Sequence, residues 1–144
     1  MSDERKEMVA KGPQAVTQES HATKAEKAAV DALKETVLTA LDDMKANDVV
    51  CMDVTGLTPL MDYMIIASGT SNRHVKSLVD NVIEKSKAAG NRPMGVEGLE
   101  LSEWVLIDLG DMVVHVMLPK AREFYDLERL WEPVPSESED QPGQ

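Results

Sequence analysis

The sequence predicts a single α/β domain built on a mixed β-sheet flanked by helices. Three observations carry that expectation. Apolar residues recur at helical spacing in two separate stretches, short β-rich runs alternate with them, and Gly110-Asp111 sits between two such runs as a two-residue hairpin turn. The size agrees, since 144 residues with 42% hydrophobic and 28% charged content suffice for one core and not comfortably for two.

The first helix starts at Thr23, because Thr23-Lys24-Ala25-Glu26 reads as a capping box in which side chains satisfy free backbone donors. Val30, Leu33, Val37, Leu41 and Met44 then share one face, and Asn47 is placed to end the helix as its C′ residue. Residues 48–54 are β-rich and are broken by Gly56 and Pro59. Residues 63–68 are apolar almost throughout, the pattern of a strand covered on both faces. After Gly69-Thr70-Ser71 comes a helix with the stripe Val75, Leu78, Val79, Val82 and Ile83. Thr70 or Ser71 is positioned to cap it, and Gly90 stands where it stops. A short edge strand is expected within residues 92–101. Residues 104–109 and 112–118 form the hairpin, and Pro119 opens a last helix with Phe124, Leu127, Leu130 and Trp131 on its apolar side. The predicted order is α-β-β-α-β-β-β-α.

Residues 1–22 lack sustained periodicity. Residues 133–144 are Pro, Ser, Glu, Asp, Gln and Gly with one valine, too little apolar area to offset the entropy of ordering. The expectation is a flexible N-terminal extension at 1–22, a folded domain at 23–132 and a disordered acidic tail at 133–144.

Charge removes several function classes. Acids outnumber bases 26 to 15, for a net charge of -11, where a nucleic-acid binder needs a basic footprint to neutralise phosphates. Two Trp, two Tyr and one Phe are too few for a base-stacking platform. The same acidity disfavours an anionic membrane surface, and no apolar run approaches a bilayer span. The N-terminus carries Asp3, Glu4 and Glu7 and resembles neither a signal nor a transit peptide. Cys51, the only cysteine, cannot make an internal disulfide or a cysteine zinc site, so a cytoplasmic, reducing setting is expected.

Catalytic signatures are scarce: there is no Walker A motif, no G-x-S-x-G and no H-E-x-x-H. The loop Ser68-Gly69-Thr70-Ser71, between a strand and a helix, could hold an anion on free N–H groups or could simply cap the helix. A nucleotidyltransferase would follow such a loop with paired carboxylates for magnesium, yet D-x-D occurs nowhere. Asp108 and Asp111 lie across a turn from each other and would not easily converge on one ion. Of the histidines, His21 falls in the extension, His74 reads as a solvated residue of a first helical turn, and His115 interrupts an apolar strand. No catalytic residue, metal or cofactor is expected.

The hairpin has two unlike faces. With Gly110-Asp111 as the turn, Asp108 opposes Val113 and Leu106 opposes His115. Val105, Ile107, Leu109, Met112, Val114 and Val116 then form an aliphatic face that must be core. Trp104, Leu106, Asp108, Val113, His115 and Met117 form the other face. Either a helix covers it and the polar pair bonds inside, or it docks a partner through a Trp anchor. Between Pro93 and Pro119 stand Glu97, Glu100, Glu103, Asp108 and Asp111 without one Lys or Arg. Such a surround is either a solubility device or a match for a basic partner.

Five blocks carry a family resemblance. Asp62-Tyr63-Met64-Ile65-Ile66-Ala67-Ser68-Gly69-Thr70-Ser71-Asn72-Arg73-His74-Val75 resembles the stretch of the Iojap-like ribosomal silencing factors that contains G-T-S-x-R-H-V. So do Gly95-Val96-Glu97-Gly98, Trp104-Val105-Leu106-Ile107-Asp108-Leu109-Gly110-Asp111, Val113-Val114-His115-Val116 and Tyr125-Asp126-Leu127-Glu128-Arg129-Leu130-Trp131. They come in family order over about residues 25–132, with the extension and the acidic tail outside the family pattern. The resemblance implies a nucleotidyltransferase-like topology without catalytic carboxylates. It implies a non-catalytic translational repressor that binds the large ribosomal subunit through ribosomal protein L-fourteen and sterically blocks joining of the small subunit when nutrients run low. Trp104, Leu106, Asp108, His115 and Met117 become the expected partner-binding residues, and the resemblance leaves room for a homodimer when the factor is free. The alternative reading is a nucleotidyltransferase-like enzyme using the loop from Ser68 to Ser71.

Overall fold

The structure, a computed structural model, describes residues 23–131. The expected extension at 1–22 and the tail at 133–144 lie outside the described residues. Helix α1 (Lys24–Asp43) begins at the expected capping box: Glu26 N–H donates to Thr23 Oγ1 at 3.0 Å, and Thr23 N–H to Glu26 Oε1 at 2.9 Å. Its end differs from expectation. Lys45, at φ 58°, takes the left-handed position assigned to Asn47, and the N–H groups of Lys45 and Ala46 close on the carbonyls of Asp42 and Leu41. Asn47 is thereby free to open strand β1 (Asn47–Asp53).

Strands β2 (Tyr63–Ser68), β3 (Gly95–Glu97), β4 (Trp104–Asp108) and β5 (Met112–Met117) complete a five-stranded sheet in the order β1-β2-β5-β4-β3. β2 and β5 are parallel and the other neighbours antiparallel, so the sheet is mixed. The hairpin register is the expected one, with Asp108 opposite Val113 and Leu106 opposite His115. Gly110 takes φ 88° at the first central position of the turn, a conformation that glycine adopts without cost. β2 is buried at every residue.

Helix α2 (Asn72–Ala88) is capped by Ser71, whose hydroxyl accepts from His74 N–H at 3.1 Å, and ends at Gly90, φ 88°. The two helices lie on one face of the sheet. Val30, Leu33, Val37, Ala40 and Leu41 of α1 and Val75, Leu78, Val79 and Val82 of α2 pack on alternate strand residues, among them Ile65, Val105, Ile107, Val114 and Val116. This is the main core, and it holds the aliphatic face expected of the hairpin.

The opposite face carries a smaller core of Val54, Met64, Ile66 and Met117. Helix α3 (Pro119–Tyr125) and a 3₁₀ turn (Leu127–Trp131) bring Ala121 and Leu127 onto it. A single last helix with Phe124, Leu127 and Leu130 inward does not form. Asp126, at φ 49°, breaks the helical phase, so Leu127 packs inward while Phe124 and Leu130 stay exposed.

Gly98 shows how tightly the β3–β4 connection is drawn. It sits at φ 94°, and a Cβ there would collide with the carbonyl oxygen of Trp104. Gly98→Ala is expected to cost more than about 2 kcal/mol in urea unfolding, through strain and collision together. Gly95→Ala, which meets nothing within 4 Å, should stay within about 0.5 kcal/mol of the parent at the exposed strand edge. Equal midpoints for the two variants would refute the close approach.

Candidate functional site

The expected site residues divide by depth. Strand alternation places Trp104, Leu106, Asp108, His115 and Met117 on the face opposite α1 and α2, as the hairpin arithmetic required. Trp104, Leu106 and Asp108 are half-buried, whereas His115 is 5% and Met117 0% exposed. The last two therefore support the face from within and present no surface to a partner. The physical reason is their position on β5, which lies beneath the cover of Trp104 and α3, whereas β4 stands nearer the open edge.

The covering reading describes part of this face. A helix does cover one half, and polar groups do bond inside. Their pairing differs from the one expected, however. Trp104 Nε1–H donates to His115 Nδ1 at 2.9 Å, while Asp108 Oδ1 accepts from Gly110 N–H at 2.9 Å and so braces the hairpin turn. The other half, around Leu106, Asp108 and Val113, remains half-open, with Glu97 exposed beside Leu106. Glu100, Glu103 and Asp111 are exposed as well, which gives the apolar patch an acidic rim.

Two aromatics escaped the sequence reading. The Tyr125 ring lies 4.6 Å from the Trp104 ring, centroid to centroid, and Phe124 meets Tyr125 edge-on at 4.9 Å. Phe124 is 78% exposed. Assigning Phe124 to the inward side of a longer helix hid this. The Phe-Tyr pair directly before Asp126 was the available signal, since neighbouring helical residues point about 100° apart.

The loop between β2 and α2 uses its Gly69 and Thr70 donors within the protein. Gly69 N–H donates to the Met117 carbonyl at 3.1 Å, Thr70 N–H to His74 Nδ1 at 2.9 Å, and Ser71 Oγ caps the helix. Ser68 is buried, and its hydroxyl accepts from Arg122 at 2.9 Å. A Cβ on Gly69 would come within 2.9 Å of Val75, so strand and helix touch there without room for a ligand. His74 corrects its expectation. It is half-buried and bonded through both nitrogens, Nε2 donating to the Met44 carbonyl at 2.8 Å, which ties the end of α1 to this loop. Among the described residues, no three His, Cys, Asp or Glu side chains stand close enough to hold a metal ion, and no helix is long and apolar enough to cross a membrane.

Accepting the indole N–H requires an unprotonated Nδ1, so neutral His115 carries its hydrogen on Nε2. Burial pushes its pKa down from 6.5 to about 4. The unfolded chain thus takes up this proton well above the pH at which the folded chain does. Stability from this residue is complete above about pH 6.5 and declines as pH falls through that window, by up to about 1.4 kcal/mol per unit. Thermal melts from about pH 7.5 to about pH 4.5 should show the decline in the parent and a flatter profile in His115→Leu; parallel profiles would exclude it.

The comparisons with known proteins agree with one another. The family described as "Ribosomal silencing factor during starvation" matches residues 17–144, a span that takes in the acidic tail expected to fall outside it. The Ribosomal silencing factor RsfS of Chromobacterium violaceum is 47% identical over 102 residues, covering 71% of this chain and 84% of that protein. Its namesake from Haemophilus influenzae is 44% identical over 100 residues, covering 69% and 98%. A crystal structure of a Chromobacterium violaceum protein superposes with a TM-score of 0.70 at 47% identity, covering 74% of this chain and 89% of that one. With a family match over most of its length and relatives this similar, the chain belongs to the ribosomal silencing factor family.

Proposed function

We propose that this protein represses translation by occupying the large ribosomal subunit, through ribosomal protein L-fourteen, so that the small subunit cannot join. One observation carries the reading: the half-covered sheet face, where Leu106 and Trp104, packed on Tyr125, belong to a stretch from Pro93 to Pro119 that carries five acids and no Lys or Arg. An aromatic anchor within an apolar patch supplies affinity, and the acidic rim favours a basic protein surface. Trp104, Leu106 and Asp108 make the contact, His115 and Met117 hold them from beneath, and Tyr125 and Phe124 extend the patch. The family's name, ribosomal silencing factor during starvation, supports a role under nutrient limitation. Action takes place in the cytoplasm, where the lone Cys51 stays reduced. No chemical step is involved, since occupancy alone excludes the second subunit. The Gly69 and Thr70 N–H groups are engaged within the protein and Ser71 Oγ caps the helix, which weighs against the enzymatic alternative.

The full chain should pellet with isolated large subunits through sucrose, and not with small ones. Trp104→Ala, shown folded, should weaken that binding by about 2 kcal/mol or more. Asp108→Asn keeps an oxygen for the Gly110 N–H but loses the charge, and it should weaken binding in a salt-dependent way. Both losses should restore subunit joining in proportion. A folded Trp104→Ala protein that binds large subunits normally would remove this face from the mechanism. Magnesium-dependent ATP or GTP binding abolished by Ser71→Ala would favour the enzyme instead.

A further inference from the structure

We propose that His115 is the positioning residue of the docking face, accepting the Trp104 indole N–H from within the sheet and so fixing the plane in which the indole meets its partner. The inference rests on the reading of Trp104 as the anchor. Trp104 opens β4 and is half-buried, so one side of its ring is available and the other is held. Among the described residues its ring has two aromatic neighbours, His115 at 5.9 Å and Tyr125 at 4.6 Å between centroids, tilted by 44° and 42°. Tilted ring contacts tolerate sliding and rotation, because dispersion is nearly non-directional. The 2.9 Å hydrogen bond from Nε1 to His115 Nδ1 does not, since it weakens steeply away from linearity.

The placement of His115 fits no simpler purpose. It stands in the run Val113-Val114-His115-Val116-Met117, opposite Leu106 on one side and Ile66 on the other. At 5% exposure it offers a partner little surface, and a polar ring there loses hydration that a leucine would not miss. What a leucine lacks is the acceptor. Without it the indole N–H has no partner within the protein, and the ring is free to leave its plane. Burial keeps the imidazole neutral at ordinary pH, so the acceptor is always available. Tyr125 packs against the same indole and narrows its orientations further before any partner arrives. A side chain already ordered loses less freedom on binding.

The test compares four full-length variants with the parent. Two-dimensional proton–nitrogen spectra report the Trp104 indole N–H, identified by its loss in Trp104→Phe. Affinity for isolated large subunits is measured in parallel, with thermal melts for each protein. His115→Leu should move the indole resonance upfield and weaken binding roughly three- to tenfold, the loss tied to ordering one free side chain. His115→Asn, whose Oδ1 can stand where Nδ1 stood, should recover the resonance and most of the affinity. Binding unchanged in His115→Leu, while Trp104→Ala loses it, would overturn the positioning role and leave the docking face standing. Equal losses of affinity in the Leu and Asn variants, each matched by a fall in melting temperature, would mark His115 as merely structural and overturn it too. Normal binding by Trp104→Ala would remove the docking face, and this inference with it.

Discussion

β2 must be covered twice. It is buried at every residue and runs parallel to β5 in the interior of the sheet, so neither of its faces can be left to water. A parallel pair cannot be closed by a short turn. The chain therefore leaves β2 through α2 and returns through β3 and β4 before β5 is laid down beside it. That route puts α2 against α1 on one face and completes the main core. Cover for the other face comes from Val54 and Met61 of the β1–β2 connection and from the chain after β5, the seven residues of α3 and five of the 3₁₀ turn. A seven-residue helix is about 10 Å long, whereas five strands span about 19 Å. The cover falls short, and the β4 side of the face stays half-open for this reason.

The polar groups on that face are satisfied locally, which lets an apolar patch and buried polar atoms coexist. Arg122 is the clearest case. Its guanidinium pairs with both oxygens of Glu128, at 3.2 and 2.9 Å, and also donates to the Asp48 carbonyl and the Ser68 hydroxyl. The ion pair holds the Glu128 carboxyl below its usual range. At 11% exposure the Arg122 charge is acceptable because four of its five N–H donors are used, two of them on a carboxylate. The Asp48 carbonyl it meets lies in the irregular stretch where β1 slips register against β2, so the latch also occupies part of an exposed sheet edge.

Most of the fold was legible because its signals were local. The Thr23 capping box, the Val75-Leu78-Val79-Val82 stripe, the Gly110-Asp111 turn and the unbroken apolar run of β2 each need only a few neighbouring residues to read. The errors were tertiary. Lys45 ended a helix at positive φ because the chain had to turn into β1, and nothing in a lysine announces that. Asp126 broke the last helix so that Glu128 could reach Arg122, a contact with no signature in spacing. The site was half legible for the same reason. Alternation placed Trp104, Leu106, Asp108, His115 and Met117 on one face. It could not say which of them α3 would bury, and it missed Tyr125 because that residue joins the face from another element.

The Arg122 latch has a consequence for the order in which the molecule opens. Its bonds to Ser68 and Asp48 join residues 54 and 74 apart in sequence, so they close long loops and add nothing until the rest of the sheet is in place. Among the described side chains, the segment they hold places Ala121 and Leu127 in the smaller core. Held by bonds that form late, it is a unit able to detach in a subglobal opening, below the free energy of complete unfolding. When it lifts, Met117 and the inner side of Trp104 meet water while the core under α1 and α2 stays closed. Amide exchange would read this as two tiers of protection in one sheet, shallow on the side of α3 and deep on the side of the long helices.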